Sequence, residues 1–233
     1  MALAFITGGS RGLGFATAQG LVAQGIKVVL FARDPQRLES SAGALGADYE
    51  VVDLSDISMT RRVFAAAIEK YGVPDLLILA HGVMSEKMAK TLKTNDEEWR
   101  RVMTINLDST FTIVNEVGAK MADARNGRII IFSACLGRMS GPGNAGGLAP
   151  YRISKAGVNA LVRNVAHETG HGSRGLWVDA ICPNHSRTDM GGPDAPRSAE
   201  EGAATAIWLA TREVVPGQTQ TGLLWEDNEV IPW

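Results

Sequence analysis

The sequence predicts an α/β fold, a doubly wound parallel sheet with helices on both faces. Three observations predict it. Short apolar runs alternate with longer amphipathic segments from end to end, the order that strand–helix crossover units produce. Several runs, such as Leu76-Leu77-Ile78-Leu79 and Ile129-Ile130-Ile131-Phe132, are apolar at every position, as strands covered on both faces must be. The first run also opens directly into a glycine-rich turn, Thr7-Gly8-Gly9-Ser10-Arg11-Gly12-Leu13-Gly14, followed by a helical pattern.

Each element follows from local sequence. A short strand is expected at 3–6, then a helix to about Gln24 with Gly25 as its C-terminal cap. Residues 26–31 read as a second strand and 35–44 as a helix with Pro35 in its first turn. A third strand covers 49–52, closed by Asp53. Val63, Phe64, Ala67 and Ile68 share one helical face, which predicts a helix over 57–71. The fourth strand spans 75–80, one long helix 96–122, and the fifth strand 128–132. A helix over 150–168 precedes the sixth strand at 176–181. A last helix (199–210) and a short strand (222–225) complete the chain. No linker composition interrupts 1–233, so one domain is expected.

The bulk numbers exclude several classes. With 233 residues, 45% hydrophobic and 21% charged, the chain is an ordinary globular protein with ample length for a core. A net charge of −2 gives no polybasic surface for nucleic acid or anionic membrane. No apolar run reaches the ~18 residues of a membrane span. Cys135 and Cys182, the only cysteines, make neither a disulfide framework nor a metal spacing. Buried, reduced thiols in a cytoplasmic protein are expected, with no metal. The first strand begins so early that no signal peptide is expected.

Two segments carry chemistry. In the first turn, Gly8, Gly12 and Gly14 let the chain close tightly and approach a pyrophosphate, which the next helix receives on its N-terminal N–H groups. A site for NAD normally carries an acid at the end of the second strand. Here that segment reads Phe31-Ala32-Arg33. Arg33 and Arg11 suit a 2′-phosphate, so NADP(H) is favoured; two solvated arginines are the plainer alternative. Asp53 stands either near the adenine or as a strand-end cap.

The second segment is Tyr151-Arg152-Ile153-Ser154-Lys155. Tyr and Lys four apart share a helix face. An ammonium ~4 Å from the phenol oxygen favours phenolate by roughly 4 kcal/mol at an effective dielectric of 20. That would bring a phenol from ~10 toward the range useful for proton transfer near pH 7.

With T-G-x-x-x-G-x-G at one end and Y-x-x-x-K after the fifth strand, the chain resembles the classical short-chain dehydrogenase/reductases, in their carbonyl-reductase-like branch. Tyr151 to Leu161, Cys182-Pro183, Arg187 to Gly192, Ser198 to Ala203 and Ile231-Pro232-Trp233 add to the likeness, which covers essentially the whole length. The resemblance implies a single Rossmann sheet of about seven strands in the order 3-2-1-4-5-6-7. It implies that Tyr151 is the proton donor, tuned by Lys155, and that Asn106 organises a relay water; a helix-bend role is the alternative for Asn106. Thr188 would hold the nicotinamide carboxamide. The cofactor would be held by Thr7, Gly8, Ser10, Arg11, Gly12, Leu13 and Gly14 of the first turn and by Arg33, Asp53 and Leu54. Ala80, His81 and Gly82 after the fourth strand, Tyr151 and Lys155, and Pro183, Asn184 and Ser186 after the sixth complete that set.

Three departures from the family pattern matter. The segment that carries the catalytic Ser reads Ser133-Ala134-Cys135-Leu136-Gly137. Strict alignment puts Ala134 in the Ser position. Side chains alternate along a strand, so Ser133 serves as oxyanion donor only if the strand end bulges; Ser140 or a main-chain group are the substitutes. Leu79-Ala80-His81-Gly82 replaces Asn-Asn-Ala-Gly, and His81 is expected to pack near the cofactor. Pro183-Asn184 replaces Pro-Gly, with His185 beside the nicotinamide site. The loop 141–147 is expected to line or cover a pocket.

The expected function is NADPH-dependent reduction of a ketone or aldehyde in a small molecule. Imine or enone reduction, or non-redox isomerisation or cyclisation, is the alternative that a lost Ser would favour, and a cofactor-binding protein without turnover is the third. A homodimer, a homotetramer and a monomer all stay open.

Overall fold

The computed structural model describes residues 1–86, 90–141 and 146–233. One eight-stranded sheet runs through the molecule in the order β3-β2-β1-β4-β5-β6-β7-β8. The strands are β1 (Leu3–Thr7), β2 (Lys27–Ala32), β3 (Asp48–Val51), β4 (Leu76–Leu79), β5 (Gly127–Phe132), β6 (Leu176–Ile181), β7 (Leu224–Glu226) and β8 (Glu229–Ile231). All neighbours are parallel except β7 and β8. The first seven follow the expected order.

β8 was not expected from the sequence. It arises because Asp227 and Asn228 both take positive φ, 51° and 64°, and so close a two-residue hairpin. Its three residues are too few to show a period of two.

The sheet is covered on both faces because the strands are apolar on both. Phe5, Val29, Phe31, Leu77, Ile129, Ile131 and Val178 face one core layer. Their neighbours Ala4, Ile6, Val28, Leu30, Ile78, Ile130 and Ile181 face the other. On the first side lie α3 (Ile57–Tyr71), α7 (Ala149–Glu168) and a long helix between β4 and β5. On the second lie α1 (Gly12–Val22), α2 (Pro35–Leu45) and α8 (Ala199–Thr211). The helix starts are capped as their sequences dictate. Asp34 and Asp56 accept the N–H groups of Arg37 and Met59, and Ser198 and Glu201 form a capping box.

The long helix is not uniform. It consists of α4 (Asp96–Met103), a π-helical turn over Thr104–Asp108, α5 (Ser109–Ile113), a second π turn over Val114–Gly118, and α6 (Ala119–Ala124). π turns loosen the i→i−4 ladder and recur at functional positions. The first one contains Asn106.

Candidate active site

All of the candidate residues gather at the carboxyl ends of the parallel strands, where ligands bind in open α/β sheets. The turn after β1 is built by close backbone approach. Gly8 and Gly12 adopt φ of +64° and +54°, which side-chain-bearing residues avoid. A Cβ on Gly14 would lie 2.3 Å from the Gly8 carbonyl oxygen, and one on Gly8 would lie 3.1 Å from Ala80 and His81 backbone. A Cβ on Gly12 would lie 3.1 Å from Thr188. Glycine therefore brings the first turn, the end of β4 and the 188 loop together. The first turn of α1 has no side-chain cap and no acid, so its positive end is left for an anion.

The flanking groups sort themselves. The Arg11 guanidinium pairs with the Asp189 carboxylate, and Arg37 reaches the same oxygen at 3.7 Å. Two cations thus converge on one anionic group, one of them unforeseen; Arg37 lies in the first turn of α2, four positions after Arg33. Asp34 is committed to capping α2. Asp53 accepts from the Ser55 N–H and hydroxyl, the strand-end cap arrangement, and Leu54 packs into the core. The Ser10 carbonyl accepts from Ser41, and Leu13 packs among the residues of the second core layer.

His81 is a strut. Ser109 and Thr110 spend their hydroxyl protons on the carbonyls of Ile105 and Asn106, at 2.7 and 2.8 Å. They can only accept from His81, so its Nε2–H donates to both, at 3.0 and 3.2 Å. Its Nδ1 then accepts from the Thr7 hydroxyl at 2.7 Å, while Thr7 also accepts the Ala80 N–H. The ring keeps some exposed surface, but both nitrogens are enclosed. Burial, then the nearby Lys155, pushes His81 down to about 3. A neutral imidazole therefore ties the end of β1 to the start of α5, just after the first π turn of the long helix.

Asn106 is equally committed. Its Oδ1 accepts the Val83 N–H, and its Nδ2 donates to the Val83 carbonyl and to Ser154 Oγ, at 2.8, 3.0 and 3.0 Å. It joins the chain after Gly82 to α7.

α7 presents Tyr151 and Lys155 on one face, both buried. The Lys155 ammonium donates to the Phe132 carbonyl at 2.7 Å and lies 5.9 Å from the Tyr151 ring centre. This corrects the expectation of a lowered phenol. Burial, then the neighbouring sulfurs of Cys182 and Cys135, pushes Tyr151 above its ordinary value. Burial also pushes Lys155 down to about 8.

The Ser133 expectation is corrected too. The Ser133 hydroxyl donates to Asn159 Oδ1 at 2.5 Å, with the Lys155 carbonyl at 3.3 Å. It serves α7 rather than Tyr151. β5 does not bulge, so alternation holds, and Ala134 is the residue that packs with Tyr151, Val102 and Leu136. Ser140 is drawn off to the Trp233 carbonyl at 3.1 Å. In the pocket loop expected at 141–147, residues 142–145 lie outside the described residues.

Sequence reasoning missed one support. Leu148, at the start of α7, has φ of 52° and provides no side-chain cap. Ser85, from the segment after β4, accepts the Tyr151 N–H at 2.8 Å instead. Glu98 accepts the Glu86 N–H, and Arg101 clamps both Glu98 and the Met84 carbonyl. The capping partner is 66 positions away in the chain, so no local pattern could reveal it.

After β6, Asn184 occupies φ of 57°, the conformation in which Asn best replaces Gly. Its Nδ2 is buried without a hydrogen-bond partner among the described residues. Ser186 donates to the Pro183 carbonyl, and Thr188 Oγ1 accepts the Gly191 N–H. His185 Nε2 pairs with the Gly191 carbonyl at 2.8 Å on the surface. Cys182 is buried, but Cys135 is partly exposed, against the expectation for both. Among the described residues no cluster could hold a metal ion, and no helix is long and apolar enough to cross a membrane.

Comparison with known proteins adds to this geometry. The family model "short chain dehydrogenase" matches residues 2–199. The chain is 32% identical over 190 residues to the 3-oxoacyl-[acyl-carrier-protein] reductase FabG of Escherichia coli strain K12, covering 81% of this chain and 75% of that protein. It is 32% identical over 194 residues to the short-chain reductase protein NovJ of Streptomyces niveus, covering 81% and 70%. Among solved structures, one titled ribose-5-phosphate isomerase from Brucella melitensis 16M superposes with a TM-score of 0.83 at 27% identity, over 96% of this chain and 89% of that one.

Proposed function

The chain belongs to the short-chain dehydrogenase family, and we propose that it reduces the carbonyl of a small molecule with NADPH, Tyr151 giving the proton. The observation that carries the reading is a buried phenol with a buried lysine 5.9 Å from its ring centre at the carboxyl ends of the strands. The names of FabG and NovJ, both reductases, support it, and a 3-oxoacyl thioester is the first substrate class to try.

The residues fit the cofactor. The first turn leaves no room for a Cβ at Gly14, the start of α1 is uncapped, and the Asn184 amide is a buried donor without a partner. Arg11, Arg33 and Arg37 would take a 2′-phosphate. Asn184, Thr188 and Lys155 would hold the nicotinamide riboside. When bound, NADPH supplies hydride to the carbonyl carbon.

The chain's own groups do the rest. Tyr151, held protonated by burial, donates its proton to the oxygen as alkoxide charge develops. Because burial holds the phenol above its ordinary value, little phenolate is present near neutral pH, and the proton that carbonyl reduction consumes is already on Tyr151. Lys155, 5.9 Å from the Tyr151 ring centre, is the nearby cation that would offset the phenolate left behind. His81 and Asn106 hold the Thr7 turn, the 83 segment and α7 in mutual register. Ala134 puts a methyl group where the family places a hydroxyl. That single observation keeps enone or imine reduction, which develops less charge on oxygen, as the second reading.

The test is NADPH oxidation with 3-oxoacyl thioesters, simple ketones, enones and imines. Tyr151→Phe should lower the rate on carbonyls by about 10²-fold or more. Near-normal turnover in that variant overturns the role of the phenol.

A further inference from the structure

We propose that Cys135 and Cys182 form a dithiol that hydrogen peroxide closes to a disulfide at the edge of the candidate active site. The two are 47 positions apart in the chain, yet the Cys135 N–H donates to Cys182 Sγ at 3.0 Å. The same contact sets the two side chains beside each other, so that each thiol perturbs the other. Adjacent strands create the meeting. β5 and β6 are paired through Phe132 and Ile181, the Ser133 N–H bonds the Ile181 carbonyl at 2.8 Å, and one cysteine follows each strand.

Their surroundings divide the labour. Cys135 is partly exposed and Cys182 is buried, an accessible thiol backed by a resolving one. The Cys182 thiol beside it, and then Arg138, hold Cys135 below its ordinary value. That contact and burial push Cys182 up. Thiolate is the form that attacks peroxide, so Cys135 reacts first.

The chemistry balances. The Cys135 thiolate attacks one peroxide oxygen, the O–O bond breaks, and the departing hydroxide takes a proton to become water. Cys182 then attacks the sulfenic sulfur; its proton leaves with the displaced hydroxide as a second water. Two thiols lose two electrons and hydrogen peroxide is reduced to two waters.

The bond would reach the site through a turn that has no slack. Cys135 and Gly137 share one 3₁₀ turn, and a Cβ on Gly137 would lie 2.7 Å from Lys155. Ala134, next to Cys135, packs against Tyr151. This consequence rests on the proposed function; the thiol chemistry does not.

The experiment is peroxide titration of the full chain, with thiols counted after denaturation and intact mass recorded. The chain holds two cysteines in all, so the readout is unambiguous. Both thiols should disappear together, the mass should fall by two hydrogens, and dithiothreitol should restore both. Cys182→Ala should instead leave a sulfenic acid on Cys135 that dimedone traps. In Cys135→Ser, a change of one atom at a half-buried position, the remaining thiol should react about tenfold more slowly or less. Oxygen gained on Cys135 in the wild type while Cys182 stays reduced overturns the proposal. So does equal reactivity of the thiols in the two variants. Carbonyl reduction should fall about tenfold with disulfide formation and recover on reduction. A chain that reduces no carbonyl would overturn the proposed function while mass and thiol count still decide the dithiol.

Discussion

Two turns close the candidate site, one after β1 and one after β5, and they differ in what they ask of the chain. The turn after β1 is a backbone device. Its work is done by what Gly8, Gly12 and Gly14 lack, and each position is fixed by a contact of 3.1 Å or less that a Cβ would have to make. The turn after β5 makes one backbone demand of the same kind, at Gly137, but its chemistry rests on a side chain. There a shift of one residue decides whether a hydroxyl or a methyl meets Tyr151, and this chain presents the methyl of Ala134. Backbone demands tolerate few residue types, whereas a side-chain demand can be dropped without disturbing the fold.

The sharpest way to break that contrast is to add a methyl group to each turn. Gly14→Ala drives a Cβ to 2.3 Å from the Gly8 oxygen, backbone against backbone. It should cost about 3 kcal/mol of stability, the upper end for overpacking, because no neighbour can rotate away. Gly137→Ala meets Lys155 and Ala156 at 2.7 to 2.8 Å and should cost about 1–3 kcal/mol. Denaturant midpoints measure both. A neutral Gly14→Ala would mean that the first turn is looser than its contacts require.

A second prediction concerns the lysine that the β5 turn packs against. Burial lowers Lys155 from 10.5 to about 8. Below pH 8 the ammonium is charged in folded and unfolded chains, and folding carries the full cost of burying it. Between pH 8 and 10.5 the unfolded chain binds the proton more tightly, so stability rises with pH. The window is worth roughly 3 kcal/mol at ~1.4 per pH unit. Lys155→Met should therefore be more stable than the wild type at pH 7, and the difference should shrink by pH 10. A gap that does not change with pH would show that the amine is better solvated than its surroundings indicate.

The same contrast governs how much of the molecule was legible. The seven strands along the chain, the glycine turn and the shared face of Tyr151 and Lys155 follow from local periodicity and backbone limits, which sequence carries directly, whereas the order of the strands in the sheet came from the family resemblance. What escaped depends on distance in the chain or on surroundings. Ser85 caps α7 from a remote segment, Arg37 joins Arg11 only across the 188 loop, and Cys135 finds Cys182 only once β5 and β6 pair. The rise of the Tyr151 phenol comes from burial, which a Tyr-x-x-x-Lys spacing cannot show. β8 was too short to read, its signal confined to the Asp227-Asn228 hairpin.

The smallest expected effect tests the side-chain turn itself. Ala134→Ser returns a hydroxyl to the wall against Tyr151, and Ser133→Ala removes one that faces Asn159. If the strand register is as described, the two variants act on different quantities. Ala134→Ser should raise turnover of simple ketones by about tenfold, a fraction of what an oxyanion donor supplies in a site evolved around it. Ser133→Ala should cost about 1–2 kcal/mol of stability, since it leaves the buried Asn159 acceptor without a partner. Steady-state rates and melts on both variants check the assignment. A large rate loss in Ser133→Ala with stability intact would place the working hydroxyl one residue earlier, and would mean that the strand end rearranges when substrate binds.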